Sequence, residues 1–303
     1  MSSQRYNQLI SDLRADFRPQ REWGEGRGLY LVVGHFLNGI AGGAWLMGTI
    51  YHVPAALVVG FVLGCFGGLA HLAFLGRPER AAKMMRHWRT SWISRGFLGL
   101  ALFLVGGVLY LPTVLFSLGG AWTAAGQAGE ILALVGMVVI IGYMGFGYTA
   151  SKGVPFWNSP LHPALYIAYA FRGGIATLLV VAAASGTAAT SGGLLQLWIG
   201  VTAIVALFFV LELQGALTGG NAAARRSARE ILAGRVALVF YGGTLILGII
   251  VPVLLLSVPM AGSPATMALI GLASAAGDFF MKLSTVRAGV YLPLVLPQQR
   301  QRA

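Results

Sequence analysis

Residues 55–75 read AALVVGFVLGCFGGLAHLAFL, and residues 76–91 then read GRPERAAKMMRHWRTS. The first stretch has no charged residue and is long enough to cross a bilayer as a helix, which takes about 20 apolar residues. The second carries Arg77, Arg80, Lys83, Arg86 and Arg89 within one connection. So abrupt a change marks the passage from lipid to water. Working outward, the same alternation recurs along the whole chain. Further apolar runs lie at 29–50, 92–116, 128–150, 163–185, 194–217, 236–258 and 264–288. The turns between them carry breakers: His52-Val-Pro, Ser117-Leu-Gly-Gly, Ser185-Gly-Thr, Thr218-Gly-Gly-Asn and Gly262-Ser-Pro. The reading is an all-α integral membrane protein of eight transmembrane helices, expected to form two four-helix bundles.

Composition agrees. Of 303 residues, 57% are hydrophobic and 10% charged, where a soluble domain carries about 25% charged residues. The 43 glycines suit closely packed membrane helices. Cys65 is the single cysteine, so a disulfide within the chain is excluded, as is an iron–sulfur cluster held by this chain alone, which takes about four thiolates. The polar start, 1–28, has no apolar core of the signal-peptide kind, and no cleaved leader is expected.

A net charge of +12 does not indicate nucleic acid, because the basic residues sit in short loops between apolar runs. All of the 21 lysines and arginines except Arg172 fall at one end of the helices. They lie in the N-terminal segment, the second, fourth and sixth connections, and the C-terminal region. An even number of spans with both termini on the basic side follows, and the positive-inside rule makes that side cytoplasmic. The expected organisation is a polar segment over 1–28, a first bundle over 29–150, a connection over 151–162, a second bundle over 163–288 and a tail over 289–303. Around Glu230 the sixth connection is expected to form a short amphipathic surface helix.

Ionisable groups within spans are costly and mark function by default. His35 and Asn38 lie three apart on one face of the first helix, among Gly34, Gly39, Gly42 and Gly43. His71 follows Gly67 and Gly68 at helical spacing in the second. The third helix opens with Trp92 and Arg95, and the fourth carries Tyr143 and Tyr148 near its end. Except for Trp92, these are groups that hydrogen-bond carbonyl oxygens, they share one depth at the basic end, and imidazole also moves protons. Such a cleft suits a quinone headgroup. The same two histidines, His35 and His71, are formally available as axial ligands of a haem, although their spacing does not show that they face one another.

Deeper, Arg172 and Asp278 both fall about 14 Å from the basic side at about 1.5 Å per residue, with Lys282 one turn further out. An Arg172–Asp278 pair with Lys282 nearby is expected, either as a proton-transfer element or as a structural ion pair. Glu130 and Glu212 are read as solvated near span ends, and His52, His87 and His162 as loop residues without a role. The connection Lys152-Gly-Val-Pro-Phe-Trp-Asn-Ser-Pro-Leu-His-Pro163 is rigid and aromatic. It reads as a folded surface that docks a partner or covers a site. Phe156, Trp157 and Asn158, with Arg77, Arg80 and Trp92, are the expected docking residues.

Pro155-Phe-Trp-Asn-Ser-Pro-Leu-His-Pro163 resembles the loop after the fourth helix of NrfD-like proteins, which include the membrane subunit of polysulfide reductase. His71-Leu-Ala-Phe-Leu-Gly-Arg-Pro-Glu-Arg80 and Thr90-Ser-Trp-Ile-Ser-Arg-Gly96 are similar to that family and to the related dimethyl sulfoxide reductase anchors. The resemblance covers the first five helices. It implies a membrane subunit working beside an iron–sulfur electron-transfer subunit and a molybdopterin catalytic subunit, in anaerobic electron transport at the bacterial inner membrane. It also implies a quinone site in the first bundle, with His35, Asn38 and His71 matching by type and the helix-four tyrosine matched by Tyr148, or else Tyr143. The anchors carry an acidic residue where this chain has Gly96, so a carboxylate role there is missing or moved. The expected function is electron exchange between membrane quinone, ubiquinone or menaquinone, and the partner's clusters. The alternative is a secondary transporter that binds a small anion at Arg172 and Asp278, with a helix break at Arg172-Gly-Gly.

Overall fold

In hydrocarbon every backbone N–H and C=O must be satisfied within its own segment, so an apolar run of this length becomes a helix. The computed structural model describes residues 3–186, 191–258 and 262–293. Its helices of more than ten residues are α1 (Ser3–Arg14), α2 (Gly28–Ile50), α3 (Pro54–Leu75), α4 (Trp92–Phe116), α5 (Ala121–Thr149), α6 (Leu161–Ser185), α7 (Ser191–Thr218), α8 (Ala222–Leu232), α9 (Ala237–Leu256) and α10 (Pro264–Ala288). Eight of these, all but α1 and α8, are long and apolar enough to span a membrane. The described residues contain no strand beyond an isolated bridge between Pro19 and Val290. The tail from 294 onward, with Arg300 and Arg302, lies outside the described residues.

The expected breakers end the helices by identifiable means. Gly186 and Gly220 take positive φ after α6 and α7, the conformation glycine adopts without a steric penalty. Asn221 caps α8 by accepting from the amides of Ala223 and Ala224. Ser263 caps α10 through Thr266 N–H, with Pro264 in the first turn. The fourth spanning helix starts at Ala121, ahead of the expected 128. Its first turns are polar enough to be read as a loop, yet a helix need not stop where the lipid does. The amphipathic helix expected around Glu230 is α8. Burial pushes the Glu230 carboxyl up, but the Arg235 amide and the Arg235 and Arg226 guanidinium groups more than offset this and hold it below its ordinary value.

Helices α2 and α6 are the interior pair. Each has 67% of its most apolar stretch buried, against 28% for α3, α7 and α9, which face lipid. Helix α2 packs on α3, α5 and α6, while α6 packs on α2, α5, α7 and α10. At the α2–α6 crossing, backbone lies on backbone. A Cβ on Gly43 would sit 1.8 Å from the Ala170 carbonyl oxygen, and one on Gly174 2.3 Å from that of Gly43. Between Phe240 and Ile250, α9 widens into a π-helix. There Gly248 meets Gly277 of α10, where an added Cβ would be 2.5 Å from the Gly277 Cα.

Both chain ends meet on one face. Gln20 N–H donates to Gly289 O at 2.8 Å, Tyr291 N–H to Arg18 O at 2.9 Å, and Leu292 N–H to Gly153 O at 3.0 Å. The entry segment, the 151–160 connection and the chain's exit from α10 are thus stitched together at the basic end, as an even number of spans requires.

The crossing is testable. Gly43→Ala inserts a methyl where a carbonyl already sits, at a cost of about 1–3 kcal/mol. This is expected to lower the melting temperature in detergent by about 5 °C. Gly200→Ala, on α7 with nothing within 4 Å, is the control and should not lower it. Equal melting temperatures for wild type and Gly43→Ala would refute the close crossing.

Candidate functional site

Two glycines bring the first polar groups together. A Cβ on Gly34 would lie 2.4 Å from Nδ1 of His71, and one on Gly67 would lie 2.1 Å from Oδ1 of Asn38. Because both positions lack side chains, α2 and α3 approach until the His71 ring lies over Gly34 and the Asn38 amide over Gly67. The His35 and His71 rings are then 5.1 Å apart between centroids. Helix α5 adds Tyr143 and Tyr148.

The hydrogen bonds assign donors. Gly67 O can only accept, so Nδ1 of His71, 2.8 Å away, carries the proton. In a neutral ring this leaves Nε2 as an acceptor, and the Tyr143 hydroxyl, 3.3 Å away, donates to it. Nδ1 of His35 pairs with the Tyr148 hydroxyl at 3.0 Å. Both ring nitrogens of His71 are therefore occupied, and the two rings are too close for a porphyrin plane to pass between them, so this pair does not fit the bis-histidine haem geometry.

These four side chains line a cleft of about 110 Å³, whose other walls include Leu31, Phe74, Met84, Ile93 and Phe97. The arrangement is a greasy slot with two imidazole–phenol pairs inside it. Asn38 is buried behind the slot and not in its wall. Its amide lies near Tyr143, but neither amide atom has a well-formed hydrogen bond. Gly96 explains its own identity, because a Cβ there would sit 2.2 Å from the Tyr143 ring. The phenol occupies the space an acidic side chain would need.

Several expected residues lie elsewhere. Arg95 does not line the slot. Its guanidinium donates to the carbonyls of Trp88 (2.9 Å) and Arg89 (2.8 Å) and stacks 4.2 Å from the Trp92 ring, clamping the basic connection to the start of α4. Trp92 in turn stacks on Phe146. Phe156 and Trp157 are 2% and 1% exposed, so they cannot present a docking surface and instead cover the site from within. Trp157 Nε1 donates to Thr285 O at 3.1 Å, and its ring stacks on Trp23 at 5.2 Å and meets Tyr148 edge-on at 5.1 Å. Asn158 folds back, its amide donating to Thr149 O. Arg77 and Arg80 are exposed on the basic connection. Prolines around a tryptophan signal a rigid loop, but they do not say which way the ring turns.

The deeper pair forms as expected. Arg172 Nη1 lies 2.8 Å from Asp278 Oδ1, both side chains being buried, and Nη2 donates to Gly248 O on the π-helical stretch. Lys282 places its ammonium 5.2 Å from the Tyr166 ring centroid and 5.6 Å from that of Tyr169. The expected break at Arg172-Gly-Gly is absent, since α6 is continuous from Leu161 to Ser185. Those glycines serve the crossing with α2, and Arg172 is paired with Asp278.

Two residues set aside in the sequence turn out to be buried together. His162 is the second residue of α6 and has no exposure, and Glu212 on α7 is 4% exposed. His162 Nδ1 lies against Glu212 Oε1. Gly145 makes room for this turn, because a Cβ there would meet Pro163 Cα at 2.4 Å. The signal available in the sequence was His162, Tyr166 and Tyr169 at helical spacing, with Glu212 inside an apolar run.

Residues 27–292 match the protein family described as Polysulphide reductase, NrfD. Protein NrfD of Escherichia coli (strain K12) is 28% identical over 282 residues, covering 82% of this chain and 85% of that relative.

The hydrogen-bond assignment has a direct check. Nitrogen NMR of histidine-labelled protein is expected to show His71 protonated on Nδ1, with its Nε2 signal moving in Tyr143→Phe. A proton resident on Nε2 alone would overturn the assignment.

Proposed function

This chain belongs to the polysulphide reductase NrfD family, and on that premise we propose that it is the quinone-reactive membrane subunit of a redox complex. It would exchange electrons between the membrane quinone pool and the iron–sulfur clusters of a partner that also carries a molybdopterin catalytic subunit. The observation that carries this reading is the slot itself, with apolar walls and His35–Tyr148 and His71–Tyr143 as two hydrogen-bonding pairs inside it. A flat, lipid-soluble ring with two oxygens matches both features.

When bound, quinone supplies two-electron, two-proton chemistry. The chain's own residues would do the rest. Tyr148 donates or accepts at one ring oxygen, Tyr143, whose proton goes to His71, accepts from a hydroquinone O–H at the other, and His71 and His35 set the orientation of those hydroxyls and exchange protons with them. Leu31, Phe74 and Phe97 exclude water and favour the apolar ring. Trp23 and Trp157, stacked together, close the basic end of the slot behind Tyr148. The buried Arg172–Asp278 pair and Lys282 are assigned to proton transfer deeper in the fold. The chain would sit in the bacterial inner membrane, with the basic face and both described chain ends cytoplasmic.

The exposed connection bearing Arg77, Arg80, Lys83, Arg86 and Arg89 borders the slot through Met84. It is the proposed docking surface for an acidic redox partner.

In mildly purified protein loaded with a short-chain naphthoquinone, His71→Ala is expected to lower quinone-linked electron transfer by about 100-fold, the scale of losing one positioned acid–base group. Tyr143→Phe, which keeps the ring and loses one hydrogen bond, should lower it by about tenfold. Undiminished transfer in both variants would sink the quinone site. The docking surface is tested separately. Arg77→Glu with Arg80→Glu should reduce recovery of the redox partners during purification at low salt, and recovery equal to wild type would count against that surface.

A further inference from the structure

Oxidising a hydroquinone breaks two O–H bonds, sends two electrons to the partner's iron–sulfur centre and leaves two protons behind. The slot is walled by apolar side chains, so those protons need a way out, or a way in when quinone is reduced. This question rests on the quinone reading above.

We infer that Glu212 and His162 form the proton conduit between the slot and water at the basic face. On the inner side, the Tyr148 hydroxyl holds His35 at 3.0 Å. The Tyr148 ring lies 5.3 Å from that of Tyr166 and 6.0 Å from that of His162, and His162 stacks on Tyr166 at 5.6 Å with the planes 23° apart. His162 Nδ1 lies against Glu212 Oε1. On the outer side, Glu212 lines a second, surface-opening cleft of about 290 Å³, framed by Pro155, Phe156, Asn158 and Pro160 of the connection and by Ala224 of α8. A carboxyl group that is 4% exposed in its own helix is thus the floor of a water-facing cleft and the neighbour of an imidazole beside the slot.

The chemistry of the atoms agrees. Beyond the His162 Nδ1–Glu212 Oε1 contact, the other Glu212 oxygen, Nε2 of His162 and the Tyr169 hydroxyl are buried with no hydrogen-bond partner among the described residues. A structural ion pair is ordinarily built to satisfy its groups. A cluster of donors and acceptors with spare capacity is what water and a moving proton require. The titratable groups facing Glu212 are His162, Tyr166 and Tyr169, all from α6. The Arg172–Asp278 pair lies on a separate branch beyond Lys282 and Tyr169. Each proton passes from Tyr148 by way of Tyr166 to His162, on to Glu212, and out to the cleft, and the sequence reverses for uptake.

The test uses the full chain in detergent, loaded with a short-chain naphthohydroquinone and oxidised by ferricyanide. Proton release is followed with a pH indicator, and redox-induced infrared difference spectra are recorded in H₂O and D₂O. Wild type is expected to show a carboxyl band that responds to quinone oxidation and shifts in D₂O. That band should vanish in Glu212→Gln. Glu212→Gln is also expected to bind the naphthohydroquinone as tightly as wild type but to release protons at least tenfold more slowly. Proton release at the wild-type rate in folded Glu212→Gln would overturn the conduit while leaving the quinone site intact. If that variant does not fold, wild type decides, because absence of any redox-sensitive carboxyl band overturns the conduit. Wild type that binds no naphthohydroquinone would overturn both the conduit and the function on which it rests.

Discussion

Close approach of helix backbones in lipid is the constraint on which the rest of this structure depends. Lipid tails are as apolar as leucine, so burying leucine between helices gains little, and tight van der Waals contact at small residues has to hold them. Gly43 and Gly174 supply that contact at the centre, where α2 and α6 cross with peptide against peptide. This crossing joins the helix that carries His35 to the helix that carries His162 and Arg172. Gly34 and Gly67 repeat the device between α2 and α3, and there the space freed by glycine is filled by polar side chains. The His71 ring and the Asn38 amide lie where two methyl groups would otherwise be. Gly96 does the same for the Tyr143 ring. Glycine in this chain therefore sets the positions of aromatic and polar groups as well as the spacing of helices.

The polar groups so placed are solved electrostatically in two ways. Around the slot, imidazoles and phenols are paired by hydrogen bonds that need no net charge, and such groups tolerate burial at modest cost. Deeper in the fold, Arg172 is neutralised by Asp278 and further held by Gly248 O, which the π-helical stretch of α9 presents. A departure from regular α-helix is thus coupled to a buried cation, consistent with the association of π-helical segments with functional positions. Between the two groups lie Tyr166, Tyr169 and Lys282, whose ammonium sits over both phenol rings. The buried polar residues of α6 therefore extend from the slot's edge toward the helix centre.

The sequence by itself determined the eight spans, the gathering of basic residues at one end, the helix-ending residues and the depth at which His35, His71, Tyr148, Arg172 and Asp278 would lie. Each of these follows from one-dimensional quantities: run length, the alternation of apolar stretches with basic loops, and a constant rise per residue. The pairing of Arg172 with Asp278 was legible for the same reason, because two opposite charges at one depth in lipid have strong cause to meet. Only the tertiary structure decided which way side chains turn around their helices and which neighbours fill the space beside them. It directed Arg95 onto the carbonyls of its own connection, turned Phe156 and Trp157 inward under the chain ends, and kept α6 unbroken through Arg172. It also brought His162 and Glu212 together from helices whose contact no spacing along the chain encodes. Depth is a property of a single helix, whereas azimuth and partnership arise only when several helices pack, and in this chain that packing is set by where glycine lets two backbones touch.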